Sequence, residues 1–279
     1  MADSKPAPGA PKPKLDFTTL GGLVIAVLAI VGGLILEGGS LKDISQFTAA
    51  IIVLGGTLGA VLVSTPLATI RSATVKAFGL FMEPADPASA TLEEIVDYAT
   101  RARKFGIISL EESCEKIANP FLKKALTLAI DGTDTQELRV MMEIEMEVHE
   151  QRGEAEAKVL ESAGGYSPTV GIIGAVMGLI QVMKHLEDIK EVGHGIAVAF
   201  VATVYGVAIA NLVLLPAGAK LKARLRQESE LQQLILEGVL AIIEGQNPKL
   251  IRSKLEAYVH APGGKAKSGQ TASAAKAAA

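Results

Sequence analysis

Four long apolar runs punctuate the chain: about Phe17 to Leu36, Phe47 to Val63, Tyr166 to Met183 and Gly195 to Leu215. A hydrocarbon layer takes about 20 helical residues to cross. One charge at the centre of such a helix costs roughly 2.5–3.5 kcal/mol, several times what one Leu or Ile returns. None of the four runs carries Asp, Glu, His, Lys or Arg in its interior. The pattern therefore predicts four membrane helices, of which the glycine-rich third, YSPTVGIIGAVMGLIQVM, is the weakest taken alone.

Between the second and third runs the pattern changes to polar helices with one apolar face. Thr91-x-x-Glu94 reads as a capping box, followed by Leu92, Ile95, Val96, Ala99 and Phe105 on one face as far as Gly106. Ser109-x-x-Glu112 repeats the signal for a short helix with Leu110, Cys114 and Ile117, closing at Asn119-Pro120. A long acidic helix is expected from about Gln136 toward Ala163, ended by Gly164-Gly165 before the third span. Beyond Pro216 an amphipathic helix leads to a last short helix, Lys249 to Val259, and no convincing period-2 strand pattern occurs anywhere. The fold class is an all-α membrane protein, with a helical cytoplasmic domain inserted between spans 2 and 3 and C-terminal cytoplasmic helices after span 4. The boundaries are 1–16 (disordered tail), 17–66 (spans 1 and 2), 67–164 (cytoplasmic domain), 165–216 (spans 3 and 4), 217–260 (cytoplasmic helices) and 261–279 (disordered tail).

Composition supports the membrane class. Of 279 residues 49% are hydrophobic, only 4% aromatic and none Trp, and the mean hydropathy is +0.36, high for a soluble domain. A net charge of −3 gives no reason to expect nucleic acid as a partner. Basic residues set the orientation. Lys5, Lys12 and Lys14 precede span 1, Arg71 and Lys76 follow span 2, Arg152 and Lys158 precede span 3, and Lys220, Lys222, Arg224 and Arg226 follow span 4. The two opposite loops hold only Lys42, and Lys184 with Lys190, so both termini are expected in the cytoplasm. The first run is too long for the apolar region of a signal peptide, and ILEGGS lacks a small-x-small cleavage site, so span 1 is expected to remain uncleaved. The single Cys114 cannot form an internal disulfide, and four scattered histidines give no metal-ligand spacing. No phosphate-binding loop or nucleophile elbow is present, so no enzymatic reading follows.

The third span carries Gly171, Gly174 and Gly178 on one face, with Ala175 four residues from Gly171. Such a face lets another backbone approach closely. Two partners remain open: another span of the same chain, or a helix of another subunit sliding along it. In the fourth span Thr203, Tyr205 and Asn211 are the distinctly polar side chains. Thr203 either bonds back to its own helix or offers an oxygen to an ion path. Pro168, after Ser167 as a candidate N-cap, suits the first turn of the third helix, and Pro216 suits the exit of the fourth, each as a hinge or a plain helix end. The most informative feature is an absence: ion-driven machines need an ionisable group within the membrane, and these spans have none.

Taken together, GGYSPTVGIIGAVMGLIQVM, AVAFVATVYGVAIANLVLLP and LILEGVLAIIEGQNPKLI resemble the A subunit of the bacterial flagellar motor stator, the MotA/PomA family within the MotA/TolQ/ExbB proton channel superfamily, over about residues 17 to 260. The resemblance implies a multi-pass protein of the bacterial inner membrane. There a homo-pentamer, in contact with membrane lipid, surrounds two MotB/PomB-type B subunits, each with one membrane helix and a peptidoglycan-binding domain. The B subunit's aspartate would supply the missing carboxylate, and ion flow would turn the A ring and torque the rotor protein FliG. No cofactor is implied beyond the transported ion, H+ or Na+. On ARKFGIISLEE the resemblance places the rotor contacts at Arg103 and Glu111, both also suited by sign to the helix ends they occupy. The ion path would be lined by Ala175, Ala202, Thr203 and Tyr205. Sodium-type members have a threonine at the position of Ala175, facing the one at Thr203; Ala175 and Ala202 here remove hydroxyls from that neighbourhood, which favours protons, with sodium left open by the similarity of the last two spans and the C-terminal helix to that branch. The competing readings are a TolQ/ExbB-type energiser of outer-membrane transport, which has three spans, and a secondary transporter, which would show paired repeats or an ionisable midplane residue.

Overall fold

The computed structural model describes residues 14–83 and 87–259. The tails expected at 1–16 and 261–279 fall outside these residues, except for Lys14, Leu15 and Asp16. Leu15 lies in a two-residue strand, β1 (Lys14–Leu15), paired antiparallel with β2 (Met82–Glu83) in the register Lys14 to Glu83. The remaining elements are helical.

The helices are α1 (Phe17–Leu36), α2 (Phe47–Ser64), α3 (Leu67–Gly79), α4 (Ala88–Phe105), α5 (Glu111–Cys114, entered through a tight turn at Ile107–Leu110), α6 (Pro120–Ile130), α7 (Thr135–Lys184), α8 (Ile189–Ile243) and α9 (Pro248–Val259). Four of them, α1, α2, α7 and α8, contain stretches long and apolar enough to cross a membrane. Wide π-turns occur at Ile51–Gly55 in α2 and at Ala210–Leu214 in α8.

Several helix ends differ from the sequence expectation. Gly164-Gly165 does not end the acidic helix, which runs unbroken for 50 residues through Pro168. Pro216 likewise lies at the second position of a segment that continues to Ile243. The π-turn before it has already shifted the hydrogen-bond register, with the Leu215 amide reaching back to the Ala210 carbonyl. The chain thus accommodates a residue that has no N–H to give. Neither proline marks a helix end. Thr91 is no N-cap: α4 begins after Pro87 and Thr91 is buried within it. The Ser109 hydroxyl donates to the Gly106 carbonyl inside the turn before α5 rather than capping a longer helix. Asn119 does cap α6, accepting from the Phe121 and Leu122 amides, with Pro120 in the first position.

The described residues form two compact units. One comprises 87–148 with 227–259. Its core joins α4, α6, α9 and the parts of α7 and α8 in this range through Ile95, Leu122, Leu126, Leu138, Leu240 and Leu255. Each such fully buried side chain contributes about 1.5–3 kcal/mol. Cys114 is buried here as a free thiol, and burial, its largest influence, pushes its pKa up. Glu237 accepts from both Arg139 (3.1 Å) and Lys254 (2.6 Å), and Arg252 clamps Glu93 with two nitrogens.

The other unit comprises 14–83 with 149–226. Here α1 buries none of its side chains against the rest of the chain, whereas α2 packs through Ala49 and Val53 against Val201 and Ala202 of α8. Exposed apolar side chains on the spans are the expected surface for hydrocarbon.

Candidate functional site

The third and fourth spans pair along a face that neither could offer with ordinary side chains. A Cβ at Gly178 would lie 2.7 Å from the Gly195 carbonyl oxygen, at Gly174 2.8 Å from the Ala202 Cβ, and at Gly171 2.8 Å from the Ala202 carbonyl oxygen. A Cβ at Gly206 would lie 2.6 Å from the Ser167 carbonyl oxygen. These pairs advance on α7 as they retreat on α8, so the spans run antiparallel with backbones in direct contact. The fully buried Ser167 donates its hydroxyl to the Gly206 carbonyl at 3.0 Å. Below the apolar stretches the pairing continues, with Gly164 under Leu215, Gly218 against Ala157 and Glu161, and Gly153 under Leu225.

The glycine face of Gly171, Gly174 and Gly178 is therefore occupied by the same chain's fourth span. Contacts this close to backbone leave no room for a second helix, which removes the sliding wall envisaged for this face. Pro168 sits inside the pair, its Cα 3.2 Å from a Cβ at Gly206. Its missing N–H falls opposite Gly164, four residues earlier, and local cost is outweighed by packing on both sides. Ser167 is a clasp between spans and not an N-cap.

Of the four residues expected to line an ion path, Ala202 is the most deeply buried in the single chain. It is 0% exposed, wedged between Gly174 and the α2 side, in one cluster with Ala49, Val53 and Val201. Tyr205 is half-buried, and its hydroxyl donates to the Ile44 carbonyl at 2.5 Å, fastening the loop before α2 to α8. Thr203 is half-buried and bonds back to the Ala199 carbonyl at 3.2 Å, which satisfies its proton but leaves its lone pairs. Ala175 is half-buried as well. Ala175, Thr203 and Tyr205 thus keep part of their surface open, whereas Ala202 does not.

Arg103 and Glu111 belong to the other unit. Arg103 lies in the last turn of α4 and Glu111 opens α5; both are exposed, and neither makes an ion pair among the described residues. Their neighbour Arg101 is instead tied to Asp97 at 2.8 Å. Between them Phe105 and Ile108 stand exposed. Arg103 also lines a cavity of about 360 Å³ where α4, α6 and α8 end. The three helices stop at Gly106, Gly132 and Gly245, all with positive φ, and their carbonyl ends favour a cation there.

One charged cluster escaped the sequence reading. Asp16, set within the N-terminal tail by that reading, is buried, caps α1 through the Thr18 and Thr19 amides, and pairs with Lys220, while Arg224 lies 3.8 Å away. The hydrogen bond from Lys220, then that from Thr18, holds its carboxyl well below the ordinary aspartate range. Arg224 also donates to the Gly79, Leu80 and Met82 carbonyls, closing the turn after α3. The signal was the Asp-x-Thr-Thr cap directly ahead of the first apolar run.

Comparison with known proteins gives the family and the fold. Residues 20–101 match the Motility protein A N-terminal family model, and residues 113–234 match that of the MotA/TolQ/ExbB proton channel family. The chain is 36% identical to Motility protein A of Bacillus subtilis (strain 168) over 251 residues, covering 88% of this chain and 92% of that one. It is 35% identical to Motility protein A of Helicobacter pylori over 249 residues, covering 89% and 96%. The structure superposes on the flagellar MotAB stator complex from Bacillus subtilis with a TM-score of 0.82 at 36% identity, covering 88% of this chain and 97% of that one. The chain belongs to the motility protein A branch of the MotA/TolQ/ExbB proton channel family.

Proposed function

We propose that this chain is the A subunit of a flagellar stator, coupling ion flow across the bacterial inner membrane to torque on a rotor. The observation that carries this reading is that four spans hold no ionisable side chain in their apolar interiors. Ion transfer through such a set needs a carboxylate from another polypeptide. A B subunit with one membrane helix provides it, consistent with the MotAB complexes this chain resembles. A homo-pentamer with both termini cytoplasmic, and 67–164 with 217–260 as the cytoplasmic part, fits the charge distribution around the spans. Arg103 and Glu111, exposed and in no ion pair among the described residues, are suited to oppositely charged groups on FliG. Protons are the favoured ion, since Ala175 offers no oxygen to replace sodium's water shell. The match of residues 20–101 to the motility protein A model supports the stator over the three-span energiser.

The test is ion flux into liposomes. The chain alone should pass neither H+ nor Na+, and addition of its cognate B subunit should open a proton flux that an Asp→Asn change in the B-subunit helix abolishes. Flux from this chain without a companion would overturn the assignment. Swimming speed independent of sodium, in a strain powered only by this pair, would fix the ion as the proton.

A further inference from the structure

Where α2 ends and α3 begins, a cavity of about 450 Å³ opens against α7. The polar residues that line it are Lys158, Ser64, Thr65, Thr69, Ser162 and Tyr166, with no acidic residue among them. The neighbouring lysines are neutralised: Lys76 by Glu156 at 2.5 Å, Lys222 by Glu161 at 2.8 Å and Lys220 by Asp16. Lys158 has no such partner among the described residues. The hydroxyls of Thr69, Ser162 and Tyr166 likewise make no hydrogen bond there, although Ser64 donates to the Val61 carbonyl. One uncompensated cation with several idle donors, and no acid facing them, selects for an anion with several acceptor oxygens. The first turn of α3 adds to this field, because Pro66 before it offers no side-chain cap.

We propose that this cavity binds a phosphate ester, and that an anionic phospholipid headgroup is its source. Ser64 is the last residue of the second apolar span and Tyr166 the first of the third, which puts the cavity at the edge of the hydrocarbon layer. Val63 and Leu67 flank the polar turn and are 91% and 70% exposed, apolar surface against which acyl chains can lie while the headgroup enters. The volume falls within the range of small-ligand pockets. The bound lipid would tie the end of α2 to α7 at the level where the two part from the membrane.

The experiment uses the full-length chain purified in detergent, with retained lipid quantified by native mass spectrometry after exposure to phosphatidylglycerol or phosphatidylcholine. The wild type should retain phosphatidylglycerol in preference to phosphatidylcholine. Lys158→Gln, at an exposed position that leaves the core untouched, should lower that retention about tenfold, with an unchanged thermal midpoint. Arg71→Gln, which removes an exposed charge outside the cavity, should leave it unaltered. Equal loss in both variants, or no loss in Lys158→Gln, overturns the proposal. If inorganic phosphate binds the wild type but not Lys158→Gln, and phosphatidylglycerol is not preferred, the lipid source is overturned in favour of a free phosphate ester.

Discussion

Gly206→Ala adds one methyl group, and the structure gives it nowhere to go. The new Cβ would lie 2.6 Å from the Ser167 carbonyl oxygen and 3.2 Å from the Cα atoms of both Gly171 and Pro168. All three neighbours are backbone, so no rotamer change relieves the contact. To restore ordinary contact the helices must separate by about 0.8 Å at this point, stretching the Ser167–Gly206 hydrogen bond. Overpacking of this kind costs about 1–3 kcal/mol, and the intramembrane hydrogen bond adds about 0.6 kcal/mol. Alanine's better helix propensity returns roughly 1 kcal/mol. The net loss, about 0.6–2.6 kcal/mol, corresponds to a fall in thermal midpoint of about 1–10 °C for a unit of this size.

The same substitution at Gly165 is the internal control. That glycine lies in α7 close to the same contact, yet a Cβ there meets nothing within 4 Å. Only the propensity gain remains, so Gly165→Ala should leave the midpoint unchanged or raise it by about 2–4 °C. The assay is the temperature at which the detergent-solubilised full-length chain loses its monodisperse peak on size-exclusion chromatography. Opposite signs for the two variants are the expected result. Equal shifts, or a Gly206→Ala protein as stable as the wild type, would refute the claim that backbone contact holds the third and fourth spans together.

Two further outcomes follow from single side chains. Asp16→Asn leaves Lys220 and Arg224 without their anion and should destabilise by about 1.5–3 kcal/mol at neutral pH. Because the folded Asp16 carboxyl titrates below its unfolded value of about 3.9, its contribution is complete above that pH and is lost only as pH falls toward the folded value. The midpoint gap between wild type and variant should therefore stay constant from neutral down to about pH 5 and close under stronger acid; a gap that closes between pH 7 and 5 would contradict this. Thr57, buried in α2, has a hydroxyl with no hydrogen-bond partner among the described residues. Thr57→Val should raise the midpoint by about 2–4 °C, corresponding to roughly 1 kcal/mol of relieved desolvation, and a lowered midpoint would mean that this hydroxyl acquires a partner in the assembled protein.

The spans were legible because bilayer length and charge exclusion act on composition alone, and all four apolar runs became helices. What misled was the meaning of glycine and proline. Gly164-Gly165, Pro168 and Pro216 carry local penalties of about 1 and 3 kcal/mol in a helix interior, which argue for breaks if each helix is taken by itself. The partner helix reverses the argument. Gly164 is small because Leu215 lies on it, Gly171 because the Ala202 carbonyl does, and Gly206 because Ser167 does. A single sequence shows the stripe on one helix but not which residues answer it on the other. The burial of Ala202 was hidden for the same reason: alanine is equally at home facing a pore or a glycine. Arg103 and Glu111 were easier to place, because exposed charges at helix ends follow from local rules, whereas Asp16 needed Lys220, some two hundred residues away, to show why it is buried.

The glycine contacts also constrain how a stator of this kind can move. A helix pair with backbone against backbone resists shear, because sliding brings carbonyls and Cα atoms into overlap before a side chain can yield. The third and fourth spans of one chain therefore behave as a single rod, continued past the membrane by Gly164, Gly218 and Gly153 under their partners. The pair leaves open a surface on which Ile172, Ile173, Val176 and Met177 of α7 and Phe200 and Val204 of α8 remain exposed. Those side chains are apolar and able to change rotamer, so contact with a neighbouring helix can be broken and remade without unpairing a hydrogen bond. In the proposed stator the small residues make the paired third and fourth spans a stiff element for transmitting torque.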